Sequence, residues 1–242
     1  MEKELWITRI FNDYLSGPGN SLLGLVGMHG GARPWANYIA MELLVAAIIV
    51  VLFAVLRSRL SVEKPGNLQH TFELIYDFVR GTAEDQIGHD GANYAVFGGT
   101  VFVFILFMNL IGIVPGFESP TMTPSVPAGC AIAAFLYYNI MGVLALGPLK
   151  YAAHFAGPVW WLAPIMIPIE IVSHLARPLS LTIRLFANMF AGEKVTIVFM
   201  GLVSLGVPVI FMGLHVFVSL LQAYIFMILT MVYVSGSVAH EH

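Results

Sequence analysis

Apolar residues in this chain fall in long unbroken runs rather than in the short stripes of a water-soluble protein. The run at 39–56 holds eighteen residues, about 27 Å as a helix and enough for a hydrocarbon core of roughly 30 Å. Glu42 lies near its start, and Arg57, Arg59 and Lys64 follow its end. Segments 94–114 and 128–147 carry no charged residue, and each is about one bilayer long. The prolines between them cannot continue a helix, so the pair is expected to form a transmembrane hairpin. Segment 66–90 reads differently. Leu68, Phe72, Ile75 and Val79 recur there at spacings of 4, 3 and 4 among charged residues, which predicts an amphipathic helix along the membrane surface.

The last third resists simple span counting. Segment 160–203 has 44 residues, about 66 Å as one helix, twice the hydrocarbon thickness. It is interrupted by Glu170, His174, Arg177, Arg184, Glu193 and Lys194. Two perpendicular spans could break at 177–180, or one long helix could lie strongly tilted. The polar row favours the second reading: Glu170, His174, Arg177, Leu181, Arg184 and Asn188 step by 4, 3, 4, 3 and 4, with Ser173 and Ser180 beside them. Pro178 is expected to kink this helix without ending the row. An arginine at membrane depth costs several kcal/mol unless paired or hydrated, so the row reads as a functional face rather than a packing one.

A second long element, 208–236, follows the turn at Gly201, Gly206 and Pro208. It places His215, Ser219, Gln222, Phe226, Leu229 and Tyr233 in the same register. Side-by-side packing would bring Gln222 toward Arg184 and His215 toward Glu193. The chain is therefore expected to be an all-α, multi-pass membrane protein. It would have two to three ordinary transmembrane helices, one surface amphipathic helix and a C-terminal hairpin of two long, strongly tilted helices. Residues 1–38 would form an extracytoplasmic segment and 39–242 a single membrane domain.

Composition agrees and excludes alternatives. Only 10% of the 242 residues are charged, 58% are hydrophobic and the mean hydropathy is +0.84. A net charge of -3 gives no reason to expect a nucleic-acid partner. Cys130 is the single cysteine, so no intrachain disulfide or Cys-based zinc cluster is expected, and it reads as a small buried hydrophobe. No HExxH or P-loop pattern occurs, so neither a metal site nor nucleotide binding is expected. The final His240, Glu241 and His242 read as a solvated tail, Trp160 and Trp161 as interface markers, and Lys194 as an interface anchor. The N-terminus lacks an apolar leader region and cleavage site, so an internal span is expected to direct insertion. Arg57, Arg59, Lys64, Arg80 and Lys150 flank one side of the spans, and Arg33 the other. The positive-inside rule then puts the N-terminus outside the cytoplasm and the C-terminus within it. A stand-alone ion-coupled transporter would also use buried Arg, Glu and His, but no internal repeat is present.

The stretches RPLSLTIRLFANMFAGE (177–193) and HVFVSLLQAYIFMILTMVY (215–233) resemble the two signature segments of subunit a of F-type ATP synthases. IPIEIVSHLARP, FMNLIGIVPG and the terminal HEH continue the resemblance, which covers roughly 35–242. Such a family implies a non-catalytic stator riding against a rotating ring of proteolipid subunits, with peripheral-stalk subunit b and the rest of the complex as partners. It also implies a bacterial inner membrane, no cofactor and H+ as the translocated ion. Arg184 matches the essential coupling charge. Glu193, His215, Asn188 and Gln222 match the outer half-channel; Glu170, Ser173, His174 and Tyr233 match the cytoplasmic one, with Ser180 also on the proton pathway. The chain departs from the family at Ala187, often glycine, and after the second span's loop. There it reads TPSVPAGCA, where many members carry a carboxylate or asparagine.

Overall fold

In lipid every backbone N–H and C=O must be satisfied within its own segment, which leaves an apolar run the helix as its natural form. The computed structural model describes residues 4–25, 33–114, 116–154, 160–202 and 207–238, and all regular elements among them are helical. In chain order they are α1 (Trp6–Tyr14), α2 (Ser16–Leu25), α3 (Asn37–Ser58), α4 (Asn67–Ile87), α5 (Ala92–Ile111), α6 (Ser125–Leu146), α7 (Pro148–His154), α8 (Ala163–Leu202) and α9 (Val207–Val238). Four of these helices are long and apolar enough to cross a membrane: α3, α5, α6 and the 209–238 stretch of α9. The tail at 240–242 and the Gly206 part of the last turn lie outside the described residues.

The α3 helix contains the whole 39–56 run and keeps only Ala40, Met41 and Val45 buried. Leu44 and Ile49 pack partly against the core, while Leu43, Ile48, Val50, Val51 and Phe53 face outward, as lipid contact permits. The α1 helix folds back onto its start. Ile7 packs on Ala40 and Met41, and Asn12 and Trp35 exchange hydrogen bonds of 2.9 and 3.1 Å. Arg33 pairs with Glu4 across the same junction. The 1–38 stretch, expected as the extracytoplasmic N-terminal segment, thus includes a helix, α1, docked on the first span.

The amphipathic helix α4 is present, but its inward face is rotated from the expected row. Val79 and Ala83 are buried, Phe72 and Ile75 half-buried, and Leu68 stands 44% exposed. Gln69 takes the inward position instead, because its amide has work there. It accepts from the Ser61 amide at 3.0 Å and donates to the Ser61 carbonyl at 3.1 Å and to Glu73 at 2.7 Å. Gly88 and Gly147 end α4 and α6 with φ of +91° and +81°, conformations that side-chain-bearing residues rarely adopt.

The α9 helix is the hub, packed on α4, α5, α6 and α8. Its Ala223, Phe226, Met227 and Met231 join Ile105, Met108, Ala131, Ala134, Leu181, Leu185 and Met189 in one core. Without a hydrophobic drive between helices in lipid, close approach of small residues does the work. A Cβ on Gly98 of α5 would stand 1.8 Å from Met231 Cε, so any other residue there would force the end of that methionine to move.

The α8 helix runs unbroken for 40 residues through Pro168 and Pro178. Of the two expectations for 160–203, the continuous helix is the one observed.

Candidate functional site

The α8 and α9 helices carry most of the ionisable groups expected in the apolar region, and their packing decides which of them meet. Leu181, Leu185 and Met189, each four residues apart, are the fully buried line of α8. The expected polar row does not stay on one face. A 4–3 repeat averages 3.5 residues against the helix's 3.6, so it drifts about 20° per heptad. At one end Glu170, Ser173, His174 and Arg177 are half-buried toward the bundle. Further along the helix Leu181 is buried and Arg184 has turned outward and is exposed, while Asn188, about five whole turns from Glu170, reaches Gln222 from the exposed edge of the row. No hydrogen bond or ion pair joins Arg184 to another described residue. Its exposed neighbours along that face are small: Ala176, Ser180, Ala187 and Ala191.

On α9 the polar row faces inward. Ser219 is fully buried, Gln222 is 2% exposed and His215 is 8% exposed. Asn188 Nδ2 donates to Gln222 Oε1 at 2.7 Å. Gln222, expected beside Arg184, is therefore tied to the residue one turn further on. The polar ends of the two amides satisfy each other, so the buried glutamine needs no charge.

Beyond this pair, His215 lies against Gly192, where a Cβ would stand 3.2 Å from His215 Nδ1. Glycine here lets the imidazole fit against the α8 backbone, beside Glu193. A cavity of about 250 Å³ adjoins, lined by Asn188, Ala191, Gly192, Val195 and His215 among others. Glu193 Oε2 and His215 Nε2 are both buried and have no hydrogen-bond partner among the described residues. Behind α9 a chain of small polar groups leads to the loop after α5. Thr121 donates to Asn109 Oδ1 at 2.8 Å, Ser119 donates to the Met108 carbonyl at 2.9 Å, and the Ser119 and Thr121 hydroxyls are 2.7 Å apart. Asn109 Nδ2 in turn reaches the Ser219 carbonyl at 3.5 Å. Ser119 and Thr121, which supply these hydroxyls, lie just ahead of the 123–131 stretch that departs from the family pattern.

At the other end, Glu170 Oε1 lies 3.8 Å from His174 Nδ1 and 3.7 Å from Arg177. The Arg177 guanidinium stands 5.2 Å from the Tyr233 ring centre and 5.9 Å from that of Tyr138, within cation–π range of both. Tyr151 and Asn139 complete this cluster from α7 and α6, next to His174.

Of the residues singled out in the sequence, the structure brings together Asn188 with Gln222, His215 with the Gly192–Glu193 turn, and Glu170 with His174 and Arg177. It leaves Ser180 and Arg184 exposed. Asn109, Ser119, Thr121, Tyr138, Asn139 and Tyr151 were missed. Asn139 had a legible signal, an amide inside an otherwise apolar run; Tyr151 had none. Glu42 is half-buried on α3, away from α8 and α9. Lys194 Nζ rests 5.3 Å from the Phe190 ring centre. No group of three His, Cys, Asp or Glu is placed to hold a metal among the described residues. A larger apolar groove of about 840 Å³ between α3, α4 and α5 shares no lining residue with this site.

Comparison with known proteins bears directly on this arrangement. The chain is 70% identical over 233 residues to the ATP synthase subunit a of Solibacter usitatus (strain Ellin6076), covering 96% of this chain and all of the relative. It is 49% identical to that of Koribacter versatilis (strain Ellin345) over the full length of both. With the subunit of Helicobacter hepaticus (strain ATCC 51449 / 3B1) it shares 42% identity over 203 residues, 83% of this chain and 89% of the relative. The family model described as ATP synthase A chain matches residues 39–235, from near the start of α3 to near the end of α9. The chain therefore belongs to the ATP synthase A chain family: it is a non-catalytic, ion-translocating subunit of the membrane sector of that complex, and not a stand-alone transporter.

Proposed function

We propose that α8 and α9 form two proton half-channels, one at each end, that meet a rotating ring of proteolipid carboxylates at Arg184. The observation that carries this reading is the placement of Arg184: an exposed, permanently charged group without a carboxylate of its own, with the small residues Ser180, Ala187 and Ala191 exposed beside it. Arginine stays protonated at any working pH, so it cannot pass a proton on. It can attract an arriving carboxylate, hold it ionised, and so block direct passage between the two channels.

The outer route comprises Glu193, His215, Asn188 and Gln222, with the 250 Å³ cavity as its wet chamber. His215 lines this cavity, and a buried polar atom without a protein partner beside a cavity of that size is satisfied by water. The cytoplasmic route comprises Glu170, Ser173, His174, Ser180 and Tyr233. A small-residue face lets a ring helix approach closely.

The α8 and α9 helices, at 40 and 32 residues, would run about 60 and 48 Å, so they fit the bilayer only when tilted. The N-terminal segment 1–38 lies outside the cytoplasm, 39–242 is the membrane domain and the C-terminus is cytoplasmic, in a bacterial inner membrane. The partners are the proteolipid ring, peripheral-stalk subunit b and the other subunits of the complex; the ion is H+. Each charge crossing 100 mV supplies about 2.3 kcal/mol, so several crossings drive each ATP made elsewhere in the complex.

The test is Arg184→Ala in inverted membrane vesicles, with assembly of the complex checked. Lost ATP-driven pumping with raised passive proton leak supports the coupling role. Retained pumping would return the arginine to a packing role.

A further inference from the structure

The cluster around His174 contains a hydrogen-bond constraint imposed from α6 and α7. Asn139 sits within α6, and its Nδ2 donates to the Phe135 carbonyl at 2.6 Å. That contact fixes the amide, because turning it over would set its oxygen against another oxygen with no proton between them. Asn139 Oδ1 must then face α7 and α8. The Tyr151 hydroxyl donates to it at 2.7 Å, and His174 Nε2 lies 3.3 Å away.

A carbonyl oxygen only accepts, so a ring nitrogen meets it favourably only when it carries hydrogen. Tyr151 Oη stands farther from Nε2, at 3.4 Å, and its proton is already directed at Asn139. On the opposite edge of the ring, Nδ1 faces Glu170 Oε1 at 3.8 Å. We infer that Asn139 holds the His174 proton on Nε2, so that the nitrogen exchanging protons is Nδ1, on the Glu170 side.

This deepens, and rests on, the reading of His174 as part of the cytoplasmic route. Which nitrogen of a histidine is protonated is set by the hydrogen bond the other one makes. The groups that act on this ring come from every element around it. Glu170 and Arg177 belong to α8, and Tyr138, with its ring 5.4 Å from His174, belongs to α6. Tyr151 belongs to α7, and Tyr233 of α9 braces Arg177. Asn139 is a positioning residue: it directs the proton-exchanging edge of the imidazole toward the carboxylate.

Gly142, three residues along α6, serves the same end. A Cβ there would stand 2.5 Å from the Tyr151 ring, so the glycine makes room for the tyrosine that shares Asn139 Oδ1.

The test uses the whole complex in lipid with 15N-histidine in this subunit, and the His174 signal assigned by difference against His174→Gln. The wild type should show neutral His174 with hydrogen on Nε2. Asn139→Asp keeps an acceptor oxygen and should keep that signature. Asn139→Leu removes the acceptor and should give a tautomer mixture, with ATP-driven pumping per assembled complex down about fivefold, the worth of one hydrogen bond between neutral groups. Hydrogen on Nδ1 in the wild type, which needs no variant to fold, would overturn the inference. So would an unchanged Nε2–H signature or normal pumping in Asn139→Leu. Normal pumping in His174→Gln would instead remove His174 from the cytoplasmic route, while the wild-type spectrum still decides the tautomer.

Discussion

Arg177 and Arg184 lie two turns apart on one helix and carry the same group, yet their surroundings are opposite. Arg177 is half-buried, 3.7 Å from Glu170 and faced by the rings of Tyr138 and Tyr233. Arg184 is exposed among alanines and a serine and meets no partner among the described residues. The first arginine is satisfied within its own chain, so its charge is used up in holding α6, α8 and α9 together. The second has its charge available to something outside the chain. In lipid that availability is expensive, and a partner that brings a carboxylate relieves it. The contrast shows that an arginine's environment, more than its presence in an apolar run, identifies the coupling group.

The sharpest way to break this contrast is to remove each charge in turn. Arg184→Ala should abolish ATP-driven pumping in assembled complexes, a drop of about a hundredfold or more. Arg177→Ala should leave pumping measurable, reduced about threefold to tenfold. Its main effect should be on stability, because Glu170 loses its cation and two ring contacts worth about 0.5–1 kcal/mol each disappear. Vesicle pumping assays beside thermal unfolding of the solubilised complex separate the two outcomes. Equal loss of pumping in both would erase the distinction between a structural and a coupling arginine.

A smaller effect is expected at the outer end. Asn188→Leu leaves Gln222 buried without its donor, at a cost of about 1–3 kcal/mol. The thermal midpoint should fall accordingly, whereas Asn188→Gln, which can still donate, should recover part of the loss. No fall in the midpoint for the leucine variant would mean that Gln222 finds another partner.

The smallest effect belongs to the surface helix, where charges are solvated. The Glu73 carboxyl is held below the usual carboxylate range, chiefly by the hydrogen bond from Gln69 and then by His70. A depressed value in the folded state means stability that is present above the ordinary carboxylate pKa and lost as pH falls through the folded one. The thermal midpoint of Glu73→Gln should therefore lie slightly below wild type at neutral pH and converge with it below about pH 4. A constant offset at all pH values would show that the glutamate acts through packing instead.

Much of this molecule could be read before its structure. Spans, the amphipathic helix and the two long C-terminal helices follow from apolar run length and the placement of charges, because lipid forces each segment to satisfy its own backbone. The continuity of α8 through Pro178 was legible from the polar row on either side of it. Its face was not. Arg184 shares a row with Glu170 on paper, but two heptads of drift, about 40° in all, carry it from the bundle to the outside. Asn188, about five whole turns from Glu170, has no such drift and makes the contact with Gln222.

The sequence by itself determined that this chain is an all-helical membrane protein of the ATP synthase A chain family, since hydropathy and motif spacing are local properties that survive any packing. Only the tertiary structure decided which charge is left without a partner, which amides pair, and that Asn139 and Tyr151 reach His174 from helices distant in the chain. Those outcomes depend on the rotation of each helix against its neighbours. That rotation is set by side-chain fit, such as Met231 against Gly98 and Tyr151 against Gly142, and no period along the sequence encodes it.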